Sequence, residues 1–182
     1  MGYSVHKKTS GFTLVEVIIS IGLFVAVMTI AVSALISLMD AQRRAQAFRE
    51  VMDNIDFAME NISRSLRLGA NYHCGPSGGI TTPQDCPGGD DYIAFTDVLG
   101  GTTIFRLENG VLERSTDGGS TFLALTSPSV TIHRLDFFVN GTAAGDLKQP
   151  GVRIVVGGLV ELSKGATNFD IETFVTQRLL DS

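Results

Sequence analysis

Basic residues are in short supply. The 182-residue chain has 14 Lys and Arg against 19 Asp and Glu, a formal charge of −5. That balance lacks the basic footprint of a nucleic-acid-binding domain, so no direct nucleic-acid partner is expected. Cysteine is scarcer still, with two residues, too few for a disulfide-dense scaffold or a four-cysteine zinc centre. Of the three histidines, His6 lies in the first ten residues. The glycine pairs lack the strand–G-x-G-x-x-G–helix setting of a nucleotide loop. No catalytic residue, cofactor or metal is therefore expected. Proline is absent before Pro76, and glycine is absent between Gly22 and Gly69. Charge is low overall, at 18% of residues, yet mean hydropathy is +0.23, high for a soluble domain.

The apolarity is concentrated at one end. Residues 12–39 read FTLVEVIISIGLFVAVMTIAVSALISLM, and Glu16 is the one charge among them. A bilayer core takes about 20 apolar residues at about 1.5 Å each, so this run is long enough to span. A secretory signal peptide has a shorter apolar core, of roughly 7–15 residues, and ends on a small-residue cleavage site. A plain signal anchor fits the hydropathy equally well, but it does not account for Glu16. A charge in hydrocarbon costs about 2.5–3.5 kcal/mol or more, which makes such a residue a functional hypothesis. Lys7 and Lys8 on one flank and Asp40 on the other set the N-terminus inside and the C-terminal bulk outside.

The segment Lys7-Lys8-Thr9-Ser10-Gly11-Phe12-Thr13-Leu14-Val15-Glu16 resembles the N-terminus of type IV pilins and type II secretion pseudopilins. In that family a basic leader ends in Gly, the next residue is usually Phe, and Glu stands fifth after the Gly. The resemblance implies that prepilin peptidase cuts between Gly11 and Phe12 and methylates the new N-terminus on Phe12. It implies that Glu16 faces the terminal amine of an adjacent subunit during assembly. Its implied partners are other pilin subunits, the peptidase and an inner-membrane assembly platform. The implied location is a single-pass cytoplasmic membrane protein with an exported head, passing into a filament. The end of the chain, from Phe169 through Thr173 to Arg178, resembles more loosely the closing strand of minor pilins of the J or W type. A major, fibre-forming pilin is the alternative within this class. A membrane-tethered binding domain that never polymerises is the alternative outside it.

With no helix breaker from Leu23 to Leu68, one helix is expected over residues 12–68, about 85 Å long. Its continuation carries Phe48, Met52, Ile55, Met59, Ile62 and Leu66 at heptad-like spacing. About three heptads are too few to argue a coiled coil, so the stripe reads as the core-facing side of an amphipathic helix. The expected fold is α+β, a long N-terminal helix packed on an antiparallel sheet head. The divisions are a leader at 1–11, an assembly helix at 12–39, its amphipathic continuation at 40–68, a loop at 69–90 and the sheet head at 91–182.

In that loop Cys74 and Cys86 bracket eleven residues. In an exported head they pair most simply as a disulfide, the alternative being a metal site with His73 and Asp90 or Asp91. Asp85, Asp90 and Asp91 also suggest a Ca²⁺ loop, although the EF-hand spacing is missing. Strands are expected at 92–98, 102–107, 111–115, 121–125, 130–139, 152–162 and 168–176, with Asn109-Gly110 as a hairpin turn and Gly157-Gly158 as a bend or bulge.

Overall fold

The computed structural model describes residues 11–143, 145, 148–162 and 165–178; Lys7 and Lys8 lie outside them. The chain divides into two compact units, residues up to Ala45 and residues from Gln46 onward. Helix α1 runs Leu14–Leu68.

In the first unit the helix begins two residues later than expected. Thr13 is the reason. Its hydroxyl accepts the Glu16 N–H at 3.3 Å and its carbonyl accepts the Val17 N–H at 3.2 Å, so it caps the helix and Phe12 stays outside. Thr13 followed three residues later by Glu16 is the sequence pattern of a capping box. Beyond the cap the large apolar side chains from Leu14 to Met39 are all exposed. The hydroxyls among them do not seek water. Ser20, Thr29, Ser33 and Ser37 each donate to the carbonyl four residues back, at 2.7–3.1 Å. Polar groups satisfied within their own helix are compatible with a hydrocarbon surround.

In the second unit the helix buries Val51, Ile55, Ala58, Met59, Ile62 and Leu66. Four of the six expected stripe residues are among them, while Met52 and Phe48 are half-buried. Val51 and Ala58 were not in the expected stripe. A 3.5-residue stripe drifts around a 3.6-residue helix, so toward the N-terminal end the covered face moves from Phe48 and Met52 to Val51. The helix ends at Gly69, where a Cβ would lie 2.4 Å from the Phe95 ring. The Gly69 N–H and the Tyr72 hydroxyl both donate to the Leu66 carbonyl, at 3.0 and 2.6 Å.

Among the described residues nine strands follow: β1 (Ala70–Cys74), β2 (Cys86–Asp90), β3 (Tyr92–Thr96), β4 (Thr102–Glu108), β5 (Val111–Ser115), β6 (Leu123–Ala124), β7 (Val130–Asn140), β8 (Gly151–Leu162) and β9 (Gly165–Thr176). They form two antiparallel sheets, in the orders β1-β3-β4-β5-β6 and β2-β7-β8-β9. Ile93, Phe95, Phe105 and Leu112 from the first sheet join Leu135, Phe137, Val139, Ile154 and Val175 from the second in one core with the helix face. The α+β layout agrees with the expectation, and Asn109-Gly110 turns the β4–β5 hairpin with φ of 50° and 79°.

Three expectations need correction. Residues 69–90 are not simply a loop, because they hold β1 and β2. β1 pairs with β3 and β2 pairs with β7, about 50 residues further on; such non-local pairing leaves little trace in local pattern. The strand expected at 92–98 stops at Thr96, since the Asp97 carboxylate accepts the N–H groups of Leu99 and Gly101 and closes a turn. The strand expected at 121–125 shrinks to Leu123–Ala124, which pair with Arg114 and Glu113. At Gly157-Gly158 the irregularity lies in the partner strand, where the register slips between Ile132 and Arg134. A Cβ on Gly158 would meet the Phe169 ring at 2.5 Å and the Thr131 carbonyl at 3.0 Å, so that close approach requires glycine.

Cys74 and Cys86 form a disulfide with their Cα atoms 5.8 Å apart. It joins β1 of one sheet to β2 of the other. Replacing both cysteines by serine is expected to lower stability by roughly 2–4 kcal/mol; an unchanged denaturant midpoint would contradict this staple.

Asp117, exposed after β5, accepts the Ser115 hydroxyl at 2.6 Å and the Thr121 hydroxyl and N–H at 2.6 and 3.0 Å. The Ser115 bond first, then those from Thr121, hold its carboxyl well below the ordinary range. A lowered folded pKa contributes stability at neutral pH that is lost as pH falls through that pKa. Asp117→Asn should therefore flatten the acid limb of the stability curve, measured by denaturation at successively lower pH.

Candidate processing and assembly site

Gly11, Phe12 and Thr13 precede the helix, with Phe12 78% exposed. A Cβ on Gly11 would meet nothing within 4 Å among the described residues. The described residues thus give no packing reason for glycine at that position. The other glycines around which something is packed, such as Gly69 and Gly158, differ in this respect.

Glu16 lies in the first turn, exposed, with its backbone N–H held by Thr13. A carboxylate there is favoured by the positive end of the helix dipole. Cutting the chain after Gly11 would add an α-ammonium at the same end, four residues from the carboxylate. Phe12, Val17, Ser20, Ile21 and Phe24 line a shallow apolar groove of about 550 Å³ beside it. A carboxylate, a candidate N-terminal amine and an apolar groove thus share the N-terminal end of the helix. The helix carrying them is long and apolar enough to cross a membrane.

The other sequence candidates are held in structural roles. With both sulfurs in the disulfide, the alternative metal set loses its thiolates. His73 is buried, its Nδ1 2.7 Å from the Thr82 carbonyl oxygen and its Nε2 3.0 Å from that of Ser77. It ties down the segment between β1 and β2. Asp85 accepts the N–H groups of Gly141 and Thr142, and Asp90 accepts that of Tyr92. Burial, reinforced by the neighbouring Asp90 charge, pushes the Asp91 carboxyl up. Among the described residues no group of three or more His, Cys, Asp and Glu is placed to hold a metal ion.

One long apolar N-terminal helix followed by antiparallel sheets is a pilin-like layout. Residues 6–32 match the family model of the prokaryotic N-terminal methylation motif. The matched stretch contains Gly11, Phe12 and Glu16, and it supports a relationship to type IV pilins and pseudopilins. No curated protein and no solved structure matches the chain.

Proposed function

We propose that this chain is a structural subunit, a minor pilin or pseudopilin, of a type IV pilus or a type II secretion-like filament. In this reading the chain crosses the cytoplasmic membrane once, with its head exported. Prepilin peptidase removes residues 1–11 and methylates Phe12. Subunits then leave the bilayer for a filament by packing their apolar helices together on an inner-membrane platform. The observation that carries the reading is the match at residues 6–32 together with a helix whose large apolar side chains from Leu14 to Met39 are all exposed. An apolar surface of that length needs either lipid or other helices to cover it. Glu16 supplies the specificity: a buried carboxylate is tolerated when paired, and the new N-terminal amine of a neighbour can pair it.

The chain's own activity is mechanical. Helix burial drives assembly and the disulfide-stapled head presents an outer surface. The test is fractionation of cells producing the protein with its peptidase. The tagged chain is expected in the sheared surface filaments at low stoichiometry. Dominance of the filament would make it a major pilin. Complete retention in the membrane would instead favour a tethered domain that does not polymerise.

A further inference from the structure

Helix α1 has a definite first residue, although the residues just before it are no barrier to a helix. Phe12 and Thr13 are neither Pro nor Gly, and the apolar run already begins at Phe12. The helix nevertheless starts at Leu14, and Gly11, Phe12 and Thr13 are exposed and outside regular structure.

The hydrogen bonds show what stops it. In an α-helix each N–H donates to the carbonyl four residues back. The first such bond here runs from the Val17 N–H to the Thr13 carbonyl, at 3.2 Å. In a helix begun earlier, the Glu16 N–H would take the Phe12 carbonyl and the Val15 N–H would take the Gly11 carbonyl. The Glu16 N–H donates instead to the Thr13 hydroxyl, at 3.3 Å. Among the described residues no backbone donor reaches the Gly11 or Phe12 carbonyl. The hydroxyl thus occupies the donor that would draw Phe12 into the helix.

The bond that depends on this boundary is Gly11–Phe12. Hydrolysis adds water across it: oxygen joins the Gly11 carbonyl carbon, the C–N bond breaks, and the nitrogen takes a proton to become the Phe12 amine. A peptidase must reach that carbon and hold its oxygen as negative charge develops there. A Gly11 carbonyl tied to the Val15 N–H inside a helical turn would be shielded from both. In a hydrocarbon surround, uncapped N–H groups at a helix start find little water, so upstream carbonyls become their best partners.

Stabilising the helix as a whole is not the hydroxyl's main effect. Helix formation is cooperative, and one cap adds little to a helix of 55 residues. Its effect falls on where the helix begins.

We propose that Thr13 is a positioning residue for processing: its side-chain oxygen stops the helix at Leu14 and keeps the Gly11–Phe12 bond extended and its carbonyl free for the peptidase. The inference rests on the processing step of the reading above and adds to it a residue that acts through the chain's own backbone.

The test is steady-state cutting of the purified full chain in proteoliposomes by a prepilin peptidase. Thr13→Val keeps the branched shape and removes the acceptor. Its KM should rise about fivefold with kcat unchanged, because only the extended fraction of the chain binds. Thr13→Ser and Thr13→Asn each restore an acceptor oxygen and should return KM to the wild-type value. A wild-type KM in Thr13→Val would overturn the proposal. So would a fall in kcat, which would place the hydroxyl at the reacting atoms, or failure of Thr13→Asn to recover, which would mean that the enzyme reads the hydroxyl itself. Each of these outcomes leaves the processing reading standing. A wild-type chain that the active peptidase does not cut would overturn both.

Discussion

Glu16→Ala is expected to leave the chain in the membrane and cut after Gly11, yet nearly absent from filaments. Removing a charge from the apolar segment makes insertion easier, by about 2.5–3.5 kcal/mol or more. Assembly is affected in the opposite direction. If the Glu16 carboxylate meets the terminal amine of a neighbour away from water, its loss leaves that ammonium buried and unpaired, a penalty of roughly 3–5 kcal/mol. That corresponds to roughly two to three orders of magnitude in subunit addition. The rival role for Glu16 is local, because Thr13 and Glu16 stand in capping-box order. Glutamine at position 16 would preserve a capping partner but not a charge. Glu16→Gln should therefore fail to assemble as Glu16→Ala does, whereas Thr13→Ala should cost only about 1 kcal/mol at the helix start. Filament incorporation of all three variants, normalised to their level in the membrane, separates the roles. Assembly by the glutamine variant at wild-type level would reduce Glu16 to a capping residue.

A valine at position 11 is expected to accumulate uncut. Among the described residues nothing lies within 4 Å of where a Gly11 side chain would begin. The substitution therefore creates no clash within the protein and should leave the head's thermal midpoint unchanged. Any effect must come from an outside surface that approaches the backbone closely, as the active site of a peptidase does at the bond it cuts. The uncut chain keeps its leader, lacks the free amine on Phe12 and should not assemble. The ratio of cut to uncut chain on a gel measures this directly. Efficient cutting of Gly11→Val would mean that the glycine is not read by the enzyme.

The sequence was most informative where structure is local. The apolar run, the absence of Pro and Gly from 23 to 68 and the Ile55–Leu66 stripe define the helix. Asn109-Gly110 defines a hairpin, and Leu135, Phe137 and Val139 define the inner face of β7. It was least informative where the chain meets itself at a distance. β2 contains Pro87-Gly88-Gly89 and reads as a loop, but the main chain of β7 recruits it into a sheet. That recruitment, with β1 captured by β3, splits the head into two sheets rather than one. The cavity lined by Arg64, Arg67 and Arg178 has the same character: Arg64 and Arg67 are readable as a helix end, whereas Arg178 arrives only through the fold, its N–H donating to the Arg67 carbonyl. The Thr13 cap is different. It stands in the sequence as Thr-x-x-Glu, a purely local signal for a helix that starts at Leu14.

The intact mass of the protein extracted from membranes of cells that contain a prepilin peptidase tests the central claim most directly. The account predicts a chain that begins at Phe12 and bears one extra methyl group, which fragmentation places on the Phe12 amine. A chain that retains residues 1–11 in the presence of active peptidase would contradict it.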